Sequence, residues 1–388
     1  MTSPHPTTHS SKNWQEDFLL DPSISYLNHG SFGATPRPVF ESYQRWQREL
    51  EFQPTEFLGR RAPALMRESR EELAPYLGTH AENLAYVTNA TTGLNAVARA
   101  VKLGPGDEVL ATDHEYGALD RTWRFLAGKQ GFRYINQPIP TPLTTRSEFV
   151  ESFWQAVTPR TRVIFLSHIT SPTALIFPVE EICQRAREQG ILTVIDGAHV
   201  PGQIPLNLDT LGADFYSGNL HKWLCAPKGA AFLYARPEHH TWFEPLVVSW
   251  GYESETPSAS RLVDYTEWQG TRDIAAFLAV PDAIRYQQEN DWDAVRAACH
   301  GMAEEALRVV TQRNGITLLS PISAEWFGQM VSAPIPFQAD PKALQSRIYE
   351  QERIEVPVLN WNGHTLVRFS FQAYNTWEQA EKLIKALP

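Results

Sequence analysis

The sequence predicts an α/β fold, with a large domain built on a mostly parallel central sheet between helices and a smaller α+β domain after it. Short apolar runs alternate with amphipathic segments at the spacing of repeated strand, crossover helix and strand units. Turn-forming strings such as Gly104-Pro105-Gly106-Asp107 punctuate them. From about Arg272 the texture changes to long helical patterns. With 388 residues, 43% of them hydrophobic, the chain can build one large core and a second, smaller one.

Residues 1–20 read as a disordered leader and an N-terminal arm, because the opening Met1-Thr2-Ser3-Pro4-His5-Pro6 lacks the charged-then-apolar pattern of a signal peptide. Residues 21–271 form the expected large domain, whose first helix is free to pack on the small one. Its strands are Ala85 to Thr88, Glu108 to Ala111, Val163 to Leu166, Thr193 to Ile195 and Ala230 to Tyr234. A helix follows the first from Gly93 to Val101, and the segment between the last two, which contains Lys222, reads as loop-rich. Residues 272–388 form the expected small domain. They contain helical patterns over Ile274 to Asn290 and Ala294 to Arg313, a strand over Thr365 to Phe371 and a last helix.

A formal net charge of −10 and the lack of any Lys/Arg run argue against nucleic acid as a partner. No stretch approaches the roughly 20 apolar residues of a membrane helix. Cys183, Cys225 and Cys299 are odd in number, far apart and outside any CxxC pair, which points away from a disulfide scaffold or a zinc site and toward a reducing, cytoplasmic compartment.

Chemistry gathers at strand ends, where an open sheet places its ligands. Asp196 ends the strand Thr193-Val194-Ile195. A carboxylate there either caps the next helix or pairs with a protonated ring nitrogen. Lys222, in Ser217-Gly218-Asn219-Leu220-His221-Lys222-Trp223, sits among Leu220, Trp223 and Leu224, whose desolvation favours the neutral amine a carbonyl-trapping lysine needs. Ser217, Asn219 and His221 are possible phosphate donors. Asn89-Ala90-Thr91-Thr92-Gly93 opens a helix, where free N–H groups and the dipole attract phosphate and Thr91 and Thr92 add hydroxyls. Tyr116, with His114 as the competing candidate, is placed to stack on a flat ring.

Read together, this series of phosphate turn, aromatic, Asp, His-Lys and a late Arg resembles the fold-type I pyridoxal phosphate (PLP) enzymes of the class V aminotransferase family. The resemblance runs from Tyr26-Leu27-Asn28-His29-Gly30-Ser31-Phe32-Gly33 to Val367-Arg368-Phe369-Ser370. It implies PLP held covalently by Lys222, with Asp196 at the ring nitrogen, His199 on the ring hydroxyl and Tyr116 on the ring face. Thr91, Thr92, Ser217 and His221 would hold the phosphate. In the family a Gly-Thr from a second subunit completes that pocket, and Gly270-Thr271 matches it, which implies a homodimer with a shared site. Arg368 matches the residue that grips the substrate carboxylate as a fork. Leu27 to Gly33, Glu56 to Arg61, Ser167 to Thr173 and Gly218 to Trp223 look most like the isopenicillin N epimerase branch.

That likeness implies epimerase or racemase chemistry at the α-carbon of an amino acid or amino-acid-like substrate, with C–S or other β-lyase and aminotransferase chemistry as alternatives. His29 and, for a second carboxylate, Arg60 join the substrate candidates, although surface arginines explain Arg60 and Arg61 as well. His114 and His29 are also candidates to assist at the face opposite Lys222. No metal is implied. The loop from Gln351 to Leu366 lacks the cysteine that a persulfide-forming desulfurase needs. A binding module on this fold would have lost the Lys or the Asp, and both are present.

Overall fold

Seven short strands form the central sheet in the computed structural model, which describes residues 13–336 and 340–388. They are β1 (Leu84–Val87), β2 (Glu108–Thr112), β3 (Arg133–Gln137), β4 (Thr161–Ser167), β5 (Leu192–Asp196), β6 (Phe215–Asn219) and β7 (Ala231–Ala235). The order across the sheet is β1-β7-β6-β5-β4-β2-β3. Only β7 runs against its neighbours, pairing antiparallel with both β1 and β6. The carboxyl ends of the other six therefore face one way.

Strands β1, β2, β6 and β7 are buried along their whole length, as expected for a sheet covered by helices on both faces. The apolar runs that mark β1, β2, β4, β5 and β7 in the sequence express that burial directly. Two strands carry no such run. The edge strand β3 reads Arg-Tyr-Ile-Asn-Gln and is half-exposed. Strand β6 ends in Ser217-Gly218-Asn219, a poor strand former in isolation, so the segment expected to be loop-rich begins as a central strand. Ladders to β5 and β7 on either side override its weak propensity. Gly218 is required there, since a Cβ would meet the Phe232 ring at 2.7 Å and Pro201 at 2.9 Å.

Helices α1 (Ala90–Ala100) and α2 (Gly117–Gln130) follow β1 and β2. The helical pattern expected over 274 to 290 divides into Ala275–Leu278 and Val280–Glu289, with Pro281 in the first turn of the second piece. Pro281 lacks the N–H that a continuous helix would need. The long helix Trp292–Asn314 and the last helix, Trp377–Ala386, pack together near an antiparallel sheet of β8 (Met330–Ile335), β9 (Val358–Trp361) and β10 (His364–Ser370), ordered β9-β10-β8. The chain start is tied to these later elements: Ser25–Tyr26 pairs parallel with Ile354–Glu355, Trp14 packs edge-on against Trp292 and Phe18 against Tyr374. The expected leader lies largely outside the described residues. No helix among them is long and apolar enough to cross a membrane.

Candidate active site

A cavity of about 740 Å³ opens over the carboxyl ends of the parallel strands, and Thr91, Thr92, Tyr116, Asp196, His199, His221, Lys222 and Arg368 all line it. Its volume suits a small flat cofactor together with an amino acid. Four expected site residues lie elsewhere. Ser217 is buried beneath, its hydroxyl donated to the Phe232 carbonyl at 2.7 Å. His29 is fully buried, with Nε2 at 2.9 Å from the Lys222 carbonyl and Nδ1 at 2.9 Å from the Tyr374 hydroxyl, so it supports the lysine's backbone from behind. Arg60 is exposed on the π-helical turn Phe57–Arg61, beside a separate cavity lined by Trp250, Arg67 and Trp268. Thr271 is exposed and does not line this chain's cavity.

At one end, Lys222 Nζ lies 3.2 Å from His199 Nε2, and Trp223 Nε1 donates to His199 Nδ1 at 3.4 Å. Indole only donates, so Nδ1 is the acceptor and a neutral His199 carries its proton on Nε2, facing the amine. Burial holds His199 well below its usual range, and the charges of Lys222 and Arg368 push the same way. The hydrogen bond is complete when Lys222 is a neutral amine accepting from Nε2–H. Burial, then the Arg368 guanidinium, push the lysine down toward that form, opposed by Asp196. Burial pushes Asp196 up, while the Ala198 N–H and Lys222 oppose the shift. Its Oδ1 accepts from that N–H at 2.9 Å. Among the described residues nothing donates to Oδ2, so the buried carboxylate lacks a cationic N–H partner.

Helix α1 begins at the other end. Asn89 caps it by accepting from the Thr92 N–H at 2.8 Å. The Ala90 N–H goes to Asn219 Oδ1 at 2.9 Å and the Gly93 N–H to the Asn89 carbonyl at 3.2 Å. The Thr91 N–H has no acceptor among the described residues and is left for an anion. With its oxygen committed to Ala90, Asn219 presents its amide N–H groups and takes the place expected for Ser217. Two apart on a strand, Ser217 and Asn219 share a face, but Asn219 stands at the strand's end, where the cavity begins.

Tyr116 lines the cavity at the start of α2, whereas His114 does not. His114 is fully buried, bonded to Thr173 Oγ1 at 2.8 Å and packed on the Trp361 ring. Between them Glu115, unremarked in the sequence, is buried with three donors: the Thr112 hydroxyl at 2.6 Å and the Ser167 N–H and hydroxyl at 2.8 and 2.7 Å. Burial pushes its carboxyl up to about 8, with Asp196 adding to the shift and those donors opposing it. Glu115 thereby ties the turn that carries Tyr116 to the end of β4.

Arg368 arrives from β10, with Nη1 at 2.6 Å from the Ser171 carbonyl and Nη2 at 3.0 Å from Ser31 Oγ. Ser31 donates onward to Asn28 Oδ1 at 2.6 Å. Asn28 and Ser31, hidden inside a motif from which only His29 was singled out, therefore aim the guanidinium. Gly33 closes the motif at φ +71°, where a side chain would strike the His221 carbonyl. A hydrogen bond to a charged group contributes about 1.5–3 kcal/mol. Ser31→Ala is therefore expected to raise KM for an amino acid roughly tenfold while kcat changes much less, as steady-state kinetics would show.

A carboxylate with one oxygen free, a neutral-leaning lysine and an open helix N-terminus fit PLP end for end. The aminotransferase class-V family model matches residues 26–383. The chain is 37% identical to an isopenicillin N epimerase of Streptomyces clavuligerus over 97% of this chain and 98% of that protein. It is 29% identical to a putative L-cysteine desulfhydrase of Oryza sativa subsp. japonica, over 94% of this chain and 82% of that one. Among solved structures it resembles a mutant of the cystine C–S lyase C-DES with glycine covalently linked to its PLP cofactor, at TM-score 0.80 and 20% identity over 94% and 96% of the two chains. Sequence over nearly the whole length, fold and cavity agree: the protein belongs to the class V aminotransferase family and is a PLP-dependent enzyme.

Proposed function

We propose that the protein inverts the configuration at the α-carbon of an amino acid or amino-acid-like substrate, as an epimerase or racemase. The observation that carries this reading is the proton inventory of the cavity. Lys222 and Tyr116 line it, while Cys183, Cys225 and Cys299 are buried and do not. Burial pushes each thiol up to about 12, which disfavours the thiolate that persulfide chemistry needs.

PLP supplies an electron sink that lets the α-proton leave. Arg368 grips the substrate carboxylate, Lys222 Nζ takes the proton from one face, and the Tyr116 hydroxyl returns one to the other. Thr91, Thr92, Asn219 and His221 would hold the phosphate, and Asp196 would hold the ring nitrogen. The 37% identity to an isopenicillin N epimerase supports a peptide-like acid as substrate. Elimination of a β-substituent, the second reading, shares the first proton transfer, and the similarity to a cysteine desulfhydrase supports it. Candidate L-amino acids incubated in heavy water decide between them. Deuterium at Cα with inversion is the expected result, and pyruvate without an inverted, exchanged product would sink the epimerase reading.

The working unit in this reading is a homodimer. Trp268, three residues before Thr271, lines the same second cavity as Arg60, so a partner that accepts Thr271 at its phosphate also receives Arg60 near its substrate. A monomer in sedimentation at assay concentrations would overturn the shared site.

A further inference from the structure

We propose that capture of the cofactor's phosphate takes up one proton, and that His221 is where the proton is held. This rests on the cavity's α1 end being the phosphate site. His221 Nδ1 lies 3.0 Å from the Ala230 carbonyl oxygen. A carbonyl only accepts, so Nδ1 carries the hydrogen, and in the neutral ring Nε2 is a bare acceptor. Since Nδ1 is occupied, Nε2 is all that His221 can offer a ligand in the cavity it lines.

A phosphate monoester has its second ionisation near pH 6 and brings only acceptor oxygens above it. Two acceptors facing each other repel until a proton is placed between them. The other groups at this end, the Thr91 N–H, the Thr91 and Thr92 hydroxyls and the Asn219 amide, already hold the hydrogens they donate and leave the proton count unchanged.

Before the phosphate arrives, His221 is neutral: burial, then the neighbouring Lys222 and next Lys228, push it down to about 4, against the support of the Ala230 carbonyl. Those two lysines and His199 are the titratable groups whose charges act between it and its surroundings. His199 has both ring nitrogens engaged and stays neutral. A bound dianion reverses the local field and favours the imidazolium. The step balances simply: one proton leaves solvent, Nε2 gains it, and the new N–H donates to a phosphate oxygen. Affinity for the phosphate should then fall about tenfold per pH unit above neutrality.

The test compares pyridoxal phosphate with pyridoxal, which has the same ring and aldehyde, by calorimetry on the full-length cofactor-free protein at pH 8 in two buffers of different ionisation enthalpy. Proton changes at Lys222, Asp196 and the ring cancel in the difference. About one additional proton taken up with pyridoxal phosphate is expected, and none in His221→Gln, whose amide donates without titrating. Equal uptake for both ligands, or the same excess in His221→Gln, would overturn the proposal. Should that variant misfold, long-range ¹H–¹⁵N spectra of the wild-type ring serve instead. They should change from the neutral Nδ1–H form to the imidazolium on loading, and a ring neutral in both states would overturn the assignment. Equal affinity for pyridoxal and pyridoxal phosphate would reject the phosphate site itself, and the proposal with it.

Discussion

Lys222→Ala is expected to lower kcat by a factor on the order of 10³ or more, the loss that follows when a positioned proton carrier is removed. The same change should leave no protein–cofactor bond for borohydride to fix, which mass spectrometry of the treated protein would detect. Activity within tenfold of wild type would refute Lys222 as the base. The reasoning starts from a lysine placed where its charged form is disfavoured. Burial and the Arg368 guanidinium both work against the ammonium, and only Asp196 favours it. A lysine kept near neutrality can attack a carbonyl and later accept an α-proton, whereas an ordinary surface lysine would hold its proton in both steps.

That readiness has a cost in the cofactor-free protein, and its sign is fixed. Between the lowered pKa of Lys222 in the fold and the ordinary lysine value of about 10.4, the unfolded chain binds a proton that the folded chain does not. Stability should therefore rise with pH across that window, by up to about 1.4 kcal/mol per unit. Asp196, pushed up by burial, contributes the opposite slope at lower pH: stability falls as pH rises from the usual carboxylate range to its raised value. Lys222→Met should remove the first slope and make the cofactor-free protein more stable at neutral pH than wild type, measurable as Tm against pH. The chemistry and the stability of this site thus pull in opposite directions.

The parts legible in the sequence were those whose physics is local. Apolar strands covered on both faces announce themselves, and Asp196, Lys222, Thr91 and Tyr116 follow from standing at strand ends or a helix start. What was hidden depends on contacts between distant segments. Strand β6 is a strand because β5 and β7 flank it, and nothing in Ser217-Gly218-Asn219 says so. Once it is a strand, Ser217 and Asn219 share a face, and Asn219 meets the cavity because it stands at the strand's end. His29 looked chemical because it is a histidine, but the fold spends both its nitrogens on Tyr374 and Lys222. Ser31 looked inert, and acts through an arginine more than 300 positions away. Glu115 could have been suspected, since a carboxylate beside a candidate aromatic at a strand end must be either exposed or held, and here three donors hold it.

Tyr116→Phe separates the two proton transfers, because it keeps the ring on the cofactor's face and deletes only the hydroxyl. Inversion of the α-carbon is expected to fall by about 10²–10³-fold, within the range for a lost general acid. Exchange of the α-proton with retention, which needs Lys222 alone, should stay within a few-fold of wild type, as should any β-elimination. Proton NMR in heavy water, with chiral separation of the product, reads both rates from one incubation. The tyrosine is suited to this role by its surroundings. It is 44% exposed, so solvent can restore its proton after each turnover. Burial holds the Arg368 guanidinium down to about 10, with Tyr116 opposing that shift, so the two side chains interact within the cavity they both line. In the proposed reaction Arg368 would grip the substrate carboxylate, and Tyr116 lines the same cavity. If inversion and exchange fell together, Tyr116 would be only a platform for the ring. If inversion were unchanged, Lys222 would have to serve both faces by itself.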